Sequence, residues 1–167
     1  MYRAMLVFCC IIFGSIGIIF WPVNSLAIHD AADNIVFQEA LPLGRSFETR
    51  YIHSVQLTPV EDLYYVINGR VCQWQTRVQS QGAGLTSVTL PQGRFRFDAP
   101  WLIFEGQAIS MEEFFLRVGN SVIGQNCLRL GNSAWWPLYP RFNGKRLRVA
   151  ATWQRLFCHA APVRNLL

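Results

Sequence analysis

The chain has 167 residues, of which 51% are apolar, 14% aromatic and 15% charged, and its formal net charge is +5. This composition excludes a disordered or low-complexity chain, because it supplies enough apolar side chains to bury a core. We find no internal repeat, and the length allows a single domain with a modest core.

The N-terminal segment is a membrane anchor or an export signal. Arg3 is the only charge before Asp30, and all eighteen residues of 4–21 are apolar or small. A helix that crosses a bilayer needs about 20 apolar residues, whereas the apolar part of a signal peptide is about 7–15 residues long, so length favours an uncleaved anchor. Ser25-Leu26-Ala27 places small residues where a signal peptidase reads them, so both alternatives stay open.

Either alternative predicts that the remainder of the chain is exported. Arg3 holds the N-terminus in the cytoplasm, and Asp30 and Asp33 follow on the far side. We therefore expect a protein anchored in the inner membrane with its domain in the periplasm, or one secreted to the periplasm if the leader is cleaved. The predicted organisation is a leader at 1–27, a lead-in segment at 28–45, a β-domain at 46–155 and a tail at 156–167.

The exported part predicts an all-β fold, a single small antiparallel β-sandwich or barrel-like domain preceded by one N-terminal hydrophobic helix. Asn68-Gly69 between two β-rich runs is a strong hairpin signal, and Leu57-Thr58-Pro59 predicts a bend. Ser110–Glu113 has a helix-capping pattern that we expect to give at most one helical turn. The predicted strands are 46–56, 62–67, 70–80, 94–98, 101–105, 114–118, 125–130 and 145–153.

Three cysteines lie beyond the apolar segment: Cys72, Cys127 and Cys158. In an oxidising compartment one pair could form a disulfide and leave a free thiol, or all three could be small buried side chains. Their spacing does not match a zinc site, and the histidines are too far apart in the sequence to form a paired ligand motif, so we expect no metal and no cofactor.

Charge is distributed unevenly along the chain. No acidic residue follows Glu113, and the C-terminal third carries eight basic residues. Such asymmetry indicates an anionic partner or simply a soluble basic surface, and nucleic acid is disfavoured because no recognition motif accompanies the charge. The candidate basic surface consists of Arg141, Lys145, Arg146 and Arg148.

A histidine, a serine and a carboxylate lie close together in the chain, at His53, Ser54 and Glu61, and Gly82 and Gly84 follow at a glycine-rich corner. His53 and Ser54 are adjacent on a predicted strand, so their side chains face opposite sides and the histidine cannot activate the serine. With a bend at Thr58-Pro59, His53 is predicted to face Tyr64 rather than Glu61. We therefore lean against an enzyme. The candidate ligand or partner site comprises Tyr51, His53, Ser54, Glu61, Gly82 and Gly84.

These residues also carry a family resemblance. The order Tyr51-x-His53-Ser54-Val55, Pro59-Val60-Glu61, Tyr64-Tyr65, Ser80-x-Gly82-Ala83-Gly84-Leu85 and Leu116-Arg117-Val118 resembles a family of short exported domains of unknown function. Its members are encoded beside tripartite ATP-independent periplasmic (TRAP) transporters, notably those with TAXI-class solute receptors.

The resemblance implies a non-catalytic accessory of a TRAP-type uptake system that touches the permease or its solute receptor. It also implies attachment to the membrane through the N-terminal helix. The alternative is a domain that binds a small anionic ligand, or less plausibly a hydrolase, through the His53, Ser54, Glu61 and Gly82–Gly84 region.

Overall fold

The computed structural model describes residues 22–42, 45–80, 82 and 92–155. In these residues the chain forms eleven β-strands and one four-residue helix, so the all-β prediction is confirmed. The elements are β1 (Pro22–His29), β2 (Ile35–Ala40), β3 (Ser46–Ile52), β4 (Pro59–Ile67), β5 (Arg70–Val78), β6 (Arg94–Asp98), β7 (Trp101–Met111), β8 (Glu113–Arg117), β9 (Gly124–Leu130), β10 (Trp136–Pro137), α1 (Tyr139–Phe142) and β11 (Arg146–Arg155).

The strands form two antiparallel sheets that face each other as a β-sandwich. One sheet has four strands in the order β2-β1-β11-β8, and the other has seven in the order β10-β9-β3-β4-β5-β7-β6. The predicted Asn68-Gly69 hairpin is confirmed, since these residues join β4 to β5 and both have positive φ. The strands predicted at 94–98 and 101–105 pair as β6 and β7.

The main core lies between the small sheet and one half of the large sheet. Phe47 is fully buried, and its ring stacks 4.9 Å from that of Tyr64, which in turn lies 4.9 Å from the ring of Phe114 on β8. A second, smaller cluster lies toward the other edge of the large sheet, around Val60, Val78 and Phe104. The small sheet therefore supports the β9-β3-β4 region, where the candidate residues lie.

A bulge in β5 interrupts the regular alternation of its side chains. Simple alternation puts Val71 and Val78 on opposite faces, but both are buried in the sandwich. The register shifts between Leu63 and Tyr64 in the β4 pairing, and an extra β5 residue, Trp74, falls at this irregularity. One extra residue on one strand reverses the alternation beyond it, which is why Val71 and Val78 both face the interior.

One further expectation is corrected by the structure. The strand predicted at 46–56 ends at Ile52, because residues 53–58 form the turn to β4. At Ser110–Glu113 the structure agrees with the expectation of at most one helical turn, since β7 runs to Met111 and the strand predicted at 114–118 starts at Glu113 as β8. β-Propensity in Phe114-Phe115-Leu116 prevailed over the capping pattern.

The N-terminal part of the sandwich was not predicted. β1 and β2 occupy much of 22–40, including part of the segment that we expected to be a lead-in. The hydrophobic run at 4–21 and the tail at 156–167 lie outside the described residues. Among the residues that are described, no helix is long and apolar enough to cross a membrane.

The strands of the sandwich run between two ends. We name them the Pro22 end and, after the cleft described below, the cleft end. The Pro22 end carries the start of β1, the end of β11 and the Asn68-Gly69 turn. The cleft end carries the turn from β3 to β4 and the start of β11. β4 alone has nine residues, so the two ends are separated by about 30 Å at about 3.3 Å per residue.

Candidate functional site

A cleft of 690 Å³ at the cleft end brings together three of the predicted site residues. Tyr51 comes from β3, and His53 and Ser54 come from the turn that follows it. The opposite wall is built by the end of β8 and by the loop between β8 and β9. The polar residues that line the cleft include Tyr51, His53, Ser54, Arg117, Asn120 and Asn126.

His53 builds the turn from β3 to β4. Its Nδ1 accepts hydrogen bonds from the backbone N–H groups of Val55 and Gln56, at 3.3 and 3.2 Å. Its own backbone N–H donates to the Thr58 carbonyl at 2.9 Å, and its carbonyl accepts from Leu57 at 2.9 Å. Because Nδ1 is an acceptor, the ring proton lies on Nε2, which is left as a hydrogen-bond donor.

Two asparagines shape the opposite wall of the cleft. Asn120 Oδ1 accepts from the N–H groups of Val122 and Ile123, both at 2.8 Å, and Asn126 Oδ1 accepts from Gly119 at 2.8 Å. Gly119 packs against Gly124 so closely that a side-chain carbon would meet backbone atoms. Asn120 Oδ1 already accepts two hydrogen bonds, so its side-chain N–H groups are what Asn120 retains for a ligand, and Asn126 also keeps its side-chain N–H groups.

Arg117 is the only charged residue that lines this cleft among the described residues, and it is exposed. In the β8–β11 register it lies directly opposite Arg146. Like charges opposite each other on neighbouring strands are unfavourable. Within the described part of the chain, neither guanidinium forms an ion pair, and Arg146 instead lies 3.7 Å above the ring of Phe115. The cleft therefore combines side-chain N–H donors with a positive charge that has no carboxylate partner among the described residues.

Glu61 lies on a different face from the cleft. It is 2% exposed and sits between Arg50 on β3 and Arg77 on β5, which are its neighbours in register. Arg50 donates to Oε1 through Nε and Nη2, and Arg77 donates to Oε2 in the same way. His53 does not face Tyr64 as predicted, because the turn is shifted and Phe47 is the Tyr64 partner.

The Glu61 pairs belong to a wider network on the outer face of the large sheet. Arg50 and Arg129 lie 4.3 and 4.4 Å from the ring centroid of Trp135, and Arg77 lies 4.9 Å from that of Trp101. Arg129 also pairs with Glu48 on β3. Trp135 is therefore shared by two arginines, Arg50 and Arg129, whose planar guanidinium groups suit stacking on an aromatic ring.

The glycine corner is only partly described. Gly82 has a φ of +109°, and a side-chain carbon there would lie 3.5 Å from Gln56 Nε2. Gln56 Oε1 accepts from the Ser80 hydroxyl at 3.0 Å. Gly82 therefore lies beside the turn that His53 builds, whereas Gly84 lies outside the described residues.

The predicted basic surface is partly neutralised. Arg148 pairs with Asp33 and with Glu113, two acidic residues that precede it in the chain. The hydrogen bond from Arg148 lowers the pKa of Asp33, and the two carboxylates raise the pKa of Arg148. The charge asymmetry along the sequence is therefore smaller in the folded structure. At this end, the described basic residues without an ion pair are Arg117, Arg141, Lys145 and Arg146.

A polar cluster lies inside the sandwich around Asp62. Its Oδ1 accepts from the Thr76 hydroxyl at 2.6 Å and from Gln73 Nε2 at 2.9 Å. Burial raises the pKa of this carboxyl even though the hydrogen bonds act in the opposite direction. Burial likewise raises the pKa of Tyr64 well above its ordinary value, and that of Tyr51.

Metal and disulfide chemistry find little support in the described residues. They contain no group of three or more histidine, cysteine, aspartate or glutamate side chains that could hold a metal ion. Cys72 and Cys127 are both free and partly buried, and burial raises the pKa of the Cys127 thiol. Cys158 lies outside the described part of the chain.

Comparison with known proteins defines a family. A family described as Domain of unknown function (DUF1850) matches residues 47–134. The chain belongs to this family. The match runs from β3 to just beyond β9, so the DUF1850 region includes the cleft residues from Tyr51 to Asn126. Curated proteins and solved structures gave no significant match to the chain.

Sequence reasoning did not select Arg117, Asn120 or Asn126 as site residues. In the sequence, Arg117 was named only as part of the Leu116-Arg117-Val118 motif of the family resemblance. A signal for the asparagines was present in Gly119-Asn120 and Gly124, because glycine and asparagine at this spacing mark a tight loop. The approach of this loop to His53 depends on long-range strand order, which a single sequence does not supply.

Proposed function

We propose that this DUF1850 protein is a non-catalytic, extracytoplasmic accessory of a TRAP-type solute uptake system. It contacts the permease or its solute receptor through the cleft formed by Tyr51, His53, Ser54 and Arg117. The motif resemblance supports the transporter context. The apolar run at 4–21 supports attachment to the membrane and export of the domain.

The observation that carries the non-catalytic part of the proposal is how the reactive residue types are used. Glu61 is held between two arginines on another face, and the His53 Nδ1 is occupied by two backbone N–H groups. Ser54 is exposed, and no basic side chain among the described residues forms a hydrogen bond with its hydroxyl. A hydrolase needs a base within hydrogen-bond reach of its nucleophile, so we do not propose hydrolysis.

Photo-cross-linking in intact membranes tests the partner. A photoreactive amino acid at Ser54, on the rim of the cleft, should capture the permease or the solute receptor. The matched control carries the same group at Phe97, which is 64% exposed on the distant β6. Capture from Ser54 alone supports the proposal, whereas the recovery of no transporter component from Ser54 contradicts it.

The cleft also favours a second candidate function, the binding of a small anion. Arg117 supplies an unneutralised charge, and His53 Nε2 and the asparagine side chains supply donors, which together suit a carboxylate or phosphate group. Inorganic phosphate and acetate should each raise the unfolding temperature of the full-length protein by mass action. Arg117→Gln should abolish that rise, and Arg94→Gln on β6 should preserve it. An equal rise in both variants would exclude the cleft as the site.

A further inference from the structure

The strand that follows the apolar run is an interior strand of the sandwich. β1 starts at Pro22, immediately after residues 4–21, and pairs with β11 along its full length, from Pro22 opposite Arg155 to His29 opposite Arg148. On its other side it pairs with β2, from Ser25 opposite Ala40 to His29 opposite Ile35. Its backbone therefore bonds to neighbours on both sides, and the chain has no linker between the run and the domain.

The possible cleavage sequence lies in the most buried part of that strand. Ser25 and Leu26 have no exposed surface, and Ala27 is 3% exposed. Leu26 belongs to the main core. Cleavage after Ala27 would remove Pro22–Ala27, open a cavity at Leu26 and leave most of the β11 edge unpaired. Loss of a core leucine and of an interior strand is strongly destabilising.

We infer that β1 stays joined to the apolar run, so that the sandwich is held with its Pro22 end against the bilayer that residues 4–21 enter. The Ser25-Leu26-Ala27 sequence is then part of the fold and not a processing site. β1 starts at the first residue after the run, and an extended residue spans about 3.3 Å. The distance between Pro22 and the lipid headgroups is therefore no more than the length of a few residues.

The surface of the Pro22 end suits that position. Trp153 is 52% exposed, and its indole packs over Gly69, where a side-chain carbon would lie 2.6 Å from Nε1. Ile67, the last residue of β4 before the Asn68-Gly69 turn, is also 52% exposed. A groove of 380 Å³ between Pro22, Leu41 and Trp153 is lined mostly by apolar atoms. Tryptophan is enriched at the headgroup level of membranes, where an apolar ring with one polar edge is favoured.

The N-terminus of the protein recovered from cells tests the first half of the inference. Terminal sequencing or intact mass should place it at or before Pro22, and a start at Ile28 in a folded protein would overturn the inference. Two matched fusions sharpen the test by joining a foreign cleavable leader directly to Pro22 or directly to Ile28. The first should give a protease-resistant exported domain and the second a degraded one. Equal resistance of the two products would also overturn the inference.

Fluorescence quenching by brominated lipids tests the second half with the full chain in bilayers. Trp153→Phe should lower the fraction of tryptophan fluorescence that the lipid bromines quench. Trp101→Phe, on the outer face of the large sheet, should not lower that fraction, because it removes a tryptophan that the lipid bromines do not reach. Unfolding midpoints close to wild type show that both variants are folded. An equal quenched fraction in wild type and Trp153→Phe would contradict contact between this end and the bilayer.

Discussion

Two groups of arginines in this sandwich have opposite surroundings. On the outer face of the large sheet, Arg50 and Arg77 hold the buried Glu61, and Arg129 holds Glu48. At the cleft end, Arg117 and Arg146 lie opposite each other without a carboxylate among the described residues. The first group satisfies its charge within the fold, whereas the second leaves charge that a ligand or partner can satisfy.

Whether a charged side chain is paired within the fold indicates its role better than its residue type does. Glu61 resembles a catalytic carboxylate in the sequence, but two guanidiniums occupy both of its oxygens. Arg117 has no special appearance in the sequence, but it is the one charged residue among the described residues that line the 690 Å³ cleft. We therefore expect substitutions in the first group to change stability and substitutions in the second to change binding.

The largest expected effect is that of Glu61→Ala. It leaves Arg50 and Arg77 facing each other without a counter-charge and should destabilise the fold by about 3 kcal/mol, the lower part of the range for broken buried pairs because both arginines are partly exposed. Denaturant unfolding of the full-length protein measures the change. The control is Glu112→Ala, whose pair with Arg70 is exposed and should contribute about 0–1 kcal/mol. Equal losses in both would refute a structural role specific to Glu61.

A smaller effect is expected at the turn beside the cleft. His53→Ala removes the acceptor for two backbone N–H groups and should cost about 1 kcal/mol of unfolding free energy. His53→Asn can accept from the same N–H groups through its side-chain oxygen and should recover part of the loss. Chemical unfolding of the two variants decides the matter, and an asparagine variant as unstable as the alanine variant would argue against the turn-building role.

Asp62 sharpens the contrast with Glu61, because its partners are neutral. Burial raises its pKa above 3.8, so the folded state holds the proton more tightly than the unfolded state does. This contribution to stability is present below about pH 3.8 and is lost as pH rises through the folded value. Asp62→Asn should therefore flatten the decline in stability as pH rises from 3.8. Unfolding free energies at pH 4 and pH 7 test this, and an unchanged difference between wild type and variant would contradict it.

The smallest effect on stability is expected at the cleft itself. Arg117→Gln removes a charge that faces another arginine and should change the unfolding free energy by less than about 0.5 kcal/mol. A loss comparable to that of Glu61→Ala would mean that Arg117 also serves the fold. The contrast between the two arginine groups would then break down.

The sequence was informative where local rules decide the structure. The Asn68-Gly69 hairpin and the strands near 94–105 follow from turn chemistry and β-propensity. The bulge at Trp74, the interior position of β1 and the pairing of Arg50 with Glu61 depend on contacts between strands distant in the chain. The approach of Arg117 and Asn126 to His53 depends on the same long-range pairing, and only part of the candidate site was therefore predictable.

The two ends of the sandwich also bear on which transporter component we propose as the main partner. If the Pro22 end lies at the bilayer, the cleft projects about 30 Å from it, the length of a nine-residue strand. A soluble solute receptor can reach that height more readily than a permease embedded in the bilayer. We therefore expect Ser54 cross-links to the receptor to outnumber those to the permease.

We propose above all that the partner binds at the cleft, where Arg117 is the charged residue without an ion pair among the described residues. The most direct measurement is the yield of cross-linked solute receptor from position 54 in membranes, compared between wild type and Arg117→Gln at equal amounts of folded protein. We expect the yield of cross-linked solute receptor to fall markedly in Arg117→Gln while the unfolding midpoint stays unchanged. An undiminished yield in Arg117→Gln would contradict it.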